Sequence, residues 1–355
     1  MEIYVMNDKF DMICVLDTFI SFIWTDRYCG YGDFELYTKA GSGILESVKN
    51  GYYLFNRDSE HVMVVESIEL ETDIEEGDNV KITGRSLESI LDRRIVWPSA
   101  VISGNLQDCI KKLINDSFIS PSIAERRIEN FIFRDSSDKN VTRLTVEETE
   151  YNGDSIYDVI AGLCQGNGIG FKITFDDSLR FVFSLYAGAD RSYSQSENPY
   201  VTFSPEFDNL INSNYIESKQ EYKNVVLVAG EKDESSKAVT APAGSASGLE
   251  RREMYIEASD ISHKRDEGPD LNDAEYKKLL VQRGLETLNE YGIAKAFDGE
   301  FDASQLYTYN EDFFMGDIVQ VSNKYGITAK ARITEFIHSQ DTSGLSVYPA
   351  FSILE

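Results

Sequence analysis

The residues able to do chemistry are few and scattered. His61, His263 and His338 are the only histidines among 355 residues. They fall in three separate regions, and a Ser-His-Asp relay would need one of them beside a nucleophile. Neither a G-x-S-x-G elbow nor an H-E-x-x-H helix occurs. Asp298, Glu300 and Asp302 alternate along a strand-like segment and would share a face. A glycosidase needs two carboxylates about 5–9 Å apart flanking a sugar cleft. In a chain with 61 acidic residues such pairs arise by chance, and a carboxylate hydrolase is not expected. Gly166-Asn167-Gly168-Ile169-Gly170 offers glycines at alternate positions but follows a helix and precedes a strand. A dinucleotide cradle needs the reverse order, with phosphate on a helix N-terminus, so the run reads as a helix C-cap and turn. Cys14, Cys29, Cys109 and Cys164 are far apart and read as reduced, buried thiols rather than a zinc site or disulfide framework. No cofactor, no metal and no catalytic residue is expected.

Composition narrows the class further. The formal net charge of −27 disfavours binding nucleic acid through its phosphates. Twenty Tyr and twenty Phe lean towards β structure, and the length allows about two or three domains with cores of their own. Met1-Glu2 lacks a basic leader, and Asp17 and Thr18 break the apolar run from Ile13 to Trp24. Neither a signal peptide nor membrane insertion is expected, which points to a cytoplasm-like compartment.

The elements follow from periodicity. Phe22 and Trp24 alternate with less apolar neighbours, as do Phe34 and Leu36, which predicts a hairpin with Trp24 and Phe34 in one core. Cys29-Gly30-Tyr31-Gly32 supplies the turn, with glycines that tolerate positive φ. Further strands are expected at 12–16, 52–55, 62–70 and 79–83. A short helix follows Gly84-Arg85, capped by Ser86, with Leu87, Ile90 and Leu91 on its inner face. Leu106, Cys109, Ile110 and Leu113 mark a second helix. Ile156, Val159, Ile160 and Leu163 mark a third, capped by Asp154 or Ser155. Strands 171–175 and 179–185 form a hairpin, and 222–230 and 254–258 are extended. The polar segment 231–248 between them reads as a long mobile loop. Residues 271–290 form the longest helix, opened by an Asn272/Glu275 capping box. Residues 294–301, 318–322, 329–338 and 344–354 return to β. Asp73-x-x-x-Gly77-Asp78-x-Val80 echoes in Asp312-x-x-x-Gly316-Asp317-x-Val319, either as a duplicated domain or as two ordinary turns ahead of strands.

Three blocks carry a resemblance. Trp24-x-x-x-Tyr28-x-x-x-Gly32-x-Phe34-x-Leu36 is the first. Gly77-Asp78-x-Val80 followed by Gly84-Arg85-Ser86-Leu87-x-x-Ile90-Leu91-x-Arg93-Arg94 is the second. The third is the Asp190-Arg191 turn, Asn198-Pro199 and then Lys223-Asn224-Val225 ahead of a strand ending in Gly230. Together they resemble the tail hub (baseplate hub, tail-tip) proteins of long-tailed phages over nearly the whole chain. The resemblance implies a β-rich α+β chain with two tail-tube-like β-barrel domains and inserted mixed α/β lobes. The first barrel would be 1–98 and the second 200–230 with 293–355; the lobes would be 99–199 and 231–292. It implies a non-enzymatic structural hub, a homotrimeric ring at the distal end of a tail tube with a channel for DNA. Its partners would be itself, the tail tube or distal tail protein, the tape measure protein and a spike or tip protein. It would reside at the virion tail tip or baseplate after assembly in the host cytoplasm. Arg27, Arg85, Arg93, Arg94 and Trp97 are candidate subunit-interface residues, though Arg93 and Arg94 also suit a solvated helix end. No hydrolase is expected after the last β segment, which runs to the end of the chain. The competing expectation is a cell-surface or carbohydrate-binding β protein without catalysis.

Overall fold

The computed structural model describes residues 1–41, 43–72, 77–210, 212–231, 237–240, 247–264, 270–300, 306–326 and 328–354. The N-terminal strands are β1 (Ile3–Met6), β2 (Met12–Leu16), β3 (Ser21–Arg27), β4 (Asp33–Lys39), β5 (Tyr53–Asn56), β6 (Val62–Glu71) and β7 (Asn79–Ser86), with a single turn of helix, α1 (Ile44–Ser47), after β4. The hairpin read from alternation is β3–β4, and Trp24 lies directly opposite Phe34. Both are buried with Phe22, Leu36, Leu54 and Ile82 in one core. The turn glycines act differently from expectation. Neither Gly30 nor Gly32 has positive φ; a side chain at Gly32 would instead run into the Thr25 carbonyl. The turn is glycine-bound because backbone passes against backbone.

The middle of the chain holds β8 (Ala100–Asn105), α2 (Leu106–Ile114), β9 (Phe131–Arg134), α3 (Lys139–Thr142), β10 (Thr145–Tyr151), α4 (Ile156–Gly166), β11 (Gly170–Phe175) and β12 (Phe181–Tyr186). The apolar stripes of α2 and α4 bury together with Leu87, Phe171 and Phe183 in a second core. Ser155 caps α4, accepting from the Asp158 amide, and β11 and β12 pair as the expected hairpin. At 87–93 the chain is a 3-10 turn rather than an α-helix, and Ser86 does not cap it. Its hydroxyl accepts from the Gly32 amide at 2.7 Å, which ties β7 back to the β3–β4 turn.

The last part comprises β13 (Thr202–Phe203), β14 (Asn212–Ser218), β15 (Val225–Ala229), β16 (Lys237–Thr240), β17 (Glu253–Glu257), α5 (Asp273–Glu290), β18 (Ala294–Glu300), β19 (Ile318–Ser322), β20 (Thr328–Asp341) and β21 (Gly344–Leu354). The capping box forms as read, with Asn272 accepting from the Ala274 and Glu275 amides. Within the segment read as loop, 237–240 is strand, paired antiparallel to β15; most of the rest of that segment lies outside the described residues. β15 also pairs with β17, and these three strands form a small sheet whose core includes Leu280 and Leu288 of α5. Strand β15 thus sits with the inserted α5 lobe rather than with the large sheet.

That large sheet runs β14-β18-β21-β20-β3-β4-β7-β6-β5-β1-β2, with β19 and β13 branching from β20. Strand β20 faces β19 over 328–332 and β3 over 335–341, and β21 runs along its other side. The chain is β-rich α+β, as read. The two strand-rich parts are not two closed barrels among the described residues: they are the two halves of one open sheet. The reason lies in β20, which is long enough to pair with a strand of each half. The motif echo holds locally, since Gly77 and Gly316 both take positive φ and Val80 and Val319 are both fully buried. It fails at the acid, because Asp78 is exposed whereas Asp317 is buried; Asp73 lies outside the described residues.

Candidate functional site

Tyr28, the tyrosine of the first sequence block, belongs to a further core with Phe203, Phe313, Phe336 and Phe351. It follows β3 and is 1% exposed. Its hydroxyl donates to the Gly168 carbonyl at 3.1 Å and accepts from the Gly188 amide at 3.3 Å. The Arg332 guanidinium lies 5.3 Å from its ring centre. A Cβ at Gly170 or Gly316 would strike that ring, so glycine at both positions is what admits the side chain. The alternating glycines at 166–170 thus serve as the expected helix end and also as a seat for Tyr28. Burial pushes the Tyr28 phenol up to about 12, and it stays a neutral donor and acceptor. The neighbouring Cys29 thiol, also pushed up to about 12 by burial, donates to the Ile169 carbonyl and is no nucleophile.

Beside Tyr28, two sequence blocks converge. Asp317, of the Gly316-Asp317 turn, is buried and receives three donors. The Ala189 amide reaches Oδ1 at 2.6 Å, Arg191 Nε reaches Oδ2 at 2.6 Å, and the Phe314 amide reaches Oδ2 at 3.0 Å. The Asp190-Arg191 turn read from the sequence is therefore latched by an acid some 126 residues further on.

A second buried ion pair lies nearby. His61 Nδ1 stands 3.0 Å from Glu88 Oε1, which also accepts from the Ile173 amide at 2.8 Å. Burial alone would lower the His61 pKa, but the charges of Glu88 and Asp26 outweigh it and hold it at about 9. Burial likewise works against the Glu88 carboxylate, yet the His61 charge and hydrogen bonds hold its pKa below the usual range. Asp26 accepts from Trp24 Nε1 and Ser59 Oγ, each at 2.8 Å, and its charge also acts on His338. Two histidines that looked unrelated in sequence therefore share one buried acid. His263 stands apart, stacked on Tyr276 with ring centres 3.7 Å apart.

The candidate interface residues divide. Arg27 is held by Glu335 and Asp33, each at 2.8 Å. Arg85 grips Glu66 through two nitrogens at 2.7 and 2.9 Å and lies 4.8 Å from the centre of the Tyr31 ring. Arg94 donates to the Arg93 and Arg126 carbonyls. These three are used inside the chain, whereas Arg93 and Trp97 are exposed, Trp97 by 57%. Sequence position alone carried no sign of the difference, because the partners come from strands paired only in the fold. Asp298 and Glu300 fall on β18, and Asp302 lies outside the described residues. No cluster of three metal-ligating side chains occurs among the described residues, and no helix among them is long and apolar enough to cross a membrane. The site joins parts of the chain that lie far apart in sequence.

The family model for the siphovirus ReqiPepy6 Gp37-like protein matches residues 2–351. The chain belongs to that family. Among solved structures it is similar to a tail protein of Neisseria meningitidis, with a TM-score of 0.55 and 12% identity, over 99% of this chain and 96% of that one. It is equally similar to the 43 kDa tail protein of prophage MuSo2 from Shewanella oneidensis, again at 0.55 and 12%, over 99% and 98%. A chain of the Francisella PdpA-VgrG complex matches at 0.51 and 10% identity, over 99% of this chain but 58% of that one. No curated protein matches the sequence. The fold is thus that of phage tail proteins, and the family resemblance read from the three blocks stands at that level.

Proposed function

We propose that the chain is the hub at the distal end of a phage tail tube, closed into a ring of three copies. The observation that carries this reading is the open sheet. Its outer strands, β14 and β2, lie at opposite ends of the strand order, so each protomer presents two different edges. Different edges on one subunit make head-to-tail contacts, and such contacts close into rings when the rotation allows. Strand β2 supports the role of an edge meant to be covered. Met12, Ile13 and Val15 on it are 58, 41 and 45% exposed, an edge that a free monomer would be expected to protect.

In this reading the β1–β7 half and the half built from β13, β14 and β18–β21 are the two tube-like units. The α2–α4 lobe and the α5 lobe project from them. The ring joins tube or distal tail subunits and the tape measure protein on one side to a spike or tip protein on the other, and it leaves a channel for DNA. Part of the −27 charge lines that channel and keeps the passing phosphates from sticking. The role is structural and not catalytic, at the tail tip or baseplate of the virion. Light scattering on the purified chain, followed by negative-stain images of the same sample, tests it. A mass of three chains with a central hole supports the ring. A monomer that stays single when mixed with tube subunits overturns it.

A further inference from the structure

A cavity of about 290 Å³ opens beside the junction, and its lining includes His61, Lys172, Arg191, Glu60 and Asp317. The hub reading makes no use of it. Two of its cations have donors to spare. The His61 side chain is 5% exposed, its Nδ1 is taken by Glu88, and Nε2 has no hydrogen-bond partner among the described residues. Arg191 spends Nε on Asp317, while its two terminal nitrogens have no hydrogen-bond partner among the described residues. Lys172, 24% exposed, sits over the Tyr186 ring and pairs with Glu60. Each cation of the lining is already matched by a carboxylate, His61 by Glu88, Lys172 by Glu60 and Arg191 by Asp317, so what the cavity offers an anion is its spare donors rather than an excess of positive charge.

From this geometry we infer that the cavity is a binding site for a single carboxylate group, held by His61 Nε2 and the terminal nitrogens of Arg191. An arginine fork matches the two oxygens of a carboxylate. With the charges of the lining already balanced, a monoanion is a smaller electrostatic load than a phosphate dianion. The volume is at the lower limit of small-molecule sites, which suits a carboxylate on a short stem, and the Tyr186 and Tyr309 rings line the space for that stem. The carboxylate comes either from an Asp or Glu side chain of a second copy or from a free small acid. The inference does not depend on the ring.

Three histidines make the test clean, because full-length chain labelled with ¹³C-histidine gives one ring signal for each. Sodium acetate is titrated at pH 7, with sodium chloride at matched ionic strength as control and His263 as internal reference. The expected result is a saturable shift of the His61 signal, with a midpoint on the order of millimolar, produced by acetate and not by chloride. Arg191→Lys, which keeps the charge but removes the fork, is expected to weaken the midpoint by about tenfold. A dilution series separates the sources. If a second copy fills the cavity, the concentrated chain already shows the shifted signal and acetate moves only the dilute one; if a free acid fills it, acetate moves both. Equal shifts with chloride, or no saturable shift in either form up to about 100 mM, a hundredfold above such a midpoint, overturn the assignment. The wild-type titration decides the matter even if the variant does not fold.

Discussion

Replacing Asp317 by alanine should cost more than replacing the arginine it binds. The carboxylate collects two backbone amides and one guanidinium nitrogen, and its side chain is 3% exposed. Asp317→Ala orphans all three donors at once and leaves the Arg191 charge without its partner. Loss of one member of a buried pair costs about 3–5 kcal/mol, and this site lies at that level. Arg191→Met removes one donor, but the carboxylate keeps the Ala189 and Phe314 amides, so the loss should be about 1.5–3 kcal/mol, that of one charged hydrogen bond. Once Asp317 is gone the arginine has nothing to hold, and the double variant should be no less stable than Asp317→Ala alone. Urea unfolding followed by tryptophan fluorescence gives the three values from midpoint shifts multiplied by the slope. Hydrogen exchange should show the Ala189 and Phe314 amides losing protection in Asp317→Ala but not in Arg191→Met. Additive costs in the cycle, or an arginine variant as damaging as the aspartate one, would refute the latch.

Three further outcomes follow from the structure. His61 is held at about 9 in the fold against 6.5 unfolded; the stability from its protonation is complete below pH 6.5 and is lost as pH rises to 9. That loss is about 3 kcal/mol at 1.36 kcal/mol per unit, measured as the difference between wild type and His61→Gln across the window; parallel curves would show the ring to be neutral. Gly84→Ala should lose about 3 kcal/mol or more, because its Cβ would meet the Val64 carbonyl within the sheet and neither backbone can yield; a melting temperature within a degree of wild type would contradict the packing. Ile13→Lys on β2 places a charge on the exposed edge; it should leave the fold intact by circular dichroism and, on the proposed ring reading, reduce the particle mass from three chains to one.

What was legible in the sequence was local. Phe22, Trp24, Phe34 and Leu36 announced their hairpin because side-chain direction in a strand depends only on position parity. The caps at Ser155 and Asn272 were readable because a helix end needs its acceptor within three residues. Ser86 looked like a third such cap, but its hydroxyl is claimed by Gly32, which no local rule reveals. The junction was invisible for the same reason. Tyr28, Gly168, Gly188 and Gly316 are spread over most of the chain, and no local spacing joins them. The sequence blocks that carried the family resemblance nevertheless contained Tyr28 and Arg191. Arg27 and Arg85, candidates for contacts between copies, pair with Glu335 and Glu66 on other strands of the same sheet, which no local spacing announces.

Strand β20 has a consequence for how the chain comes to be folded at all. It covers the flank of β3 from more than 300 residues downstream, pairing Trp24 with His338 and Arg27 with Glu335. Until those residues leave the ribosome, β3 is a bare edge beside finished hydrophobic neighbours. Contacts of such long range are slow to form, and an uncovered strand in the meantime invites the wrong partner. The N-terminal half is therefore synthesised first but completed last, and the yield of soluble protein should depend on what shields that edge during translation.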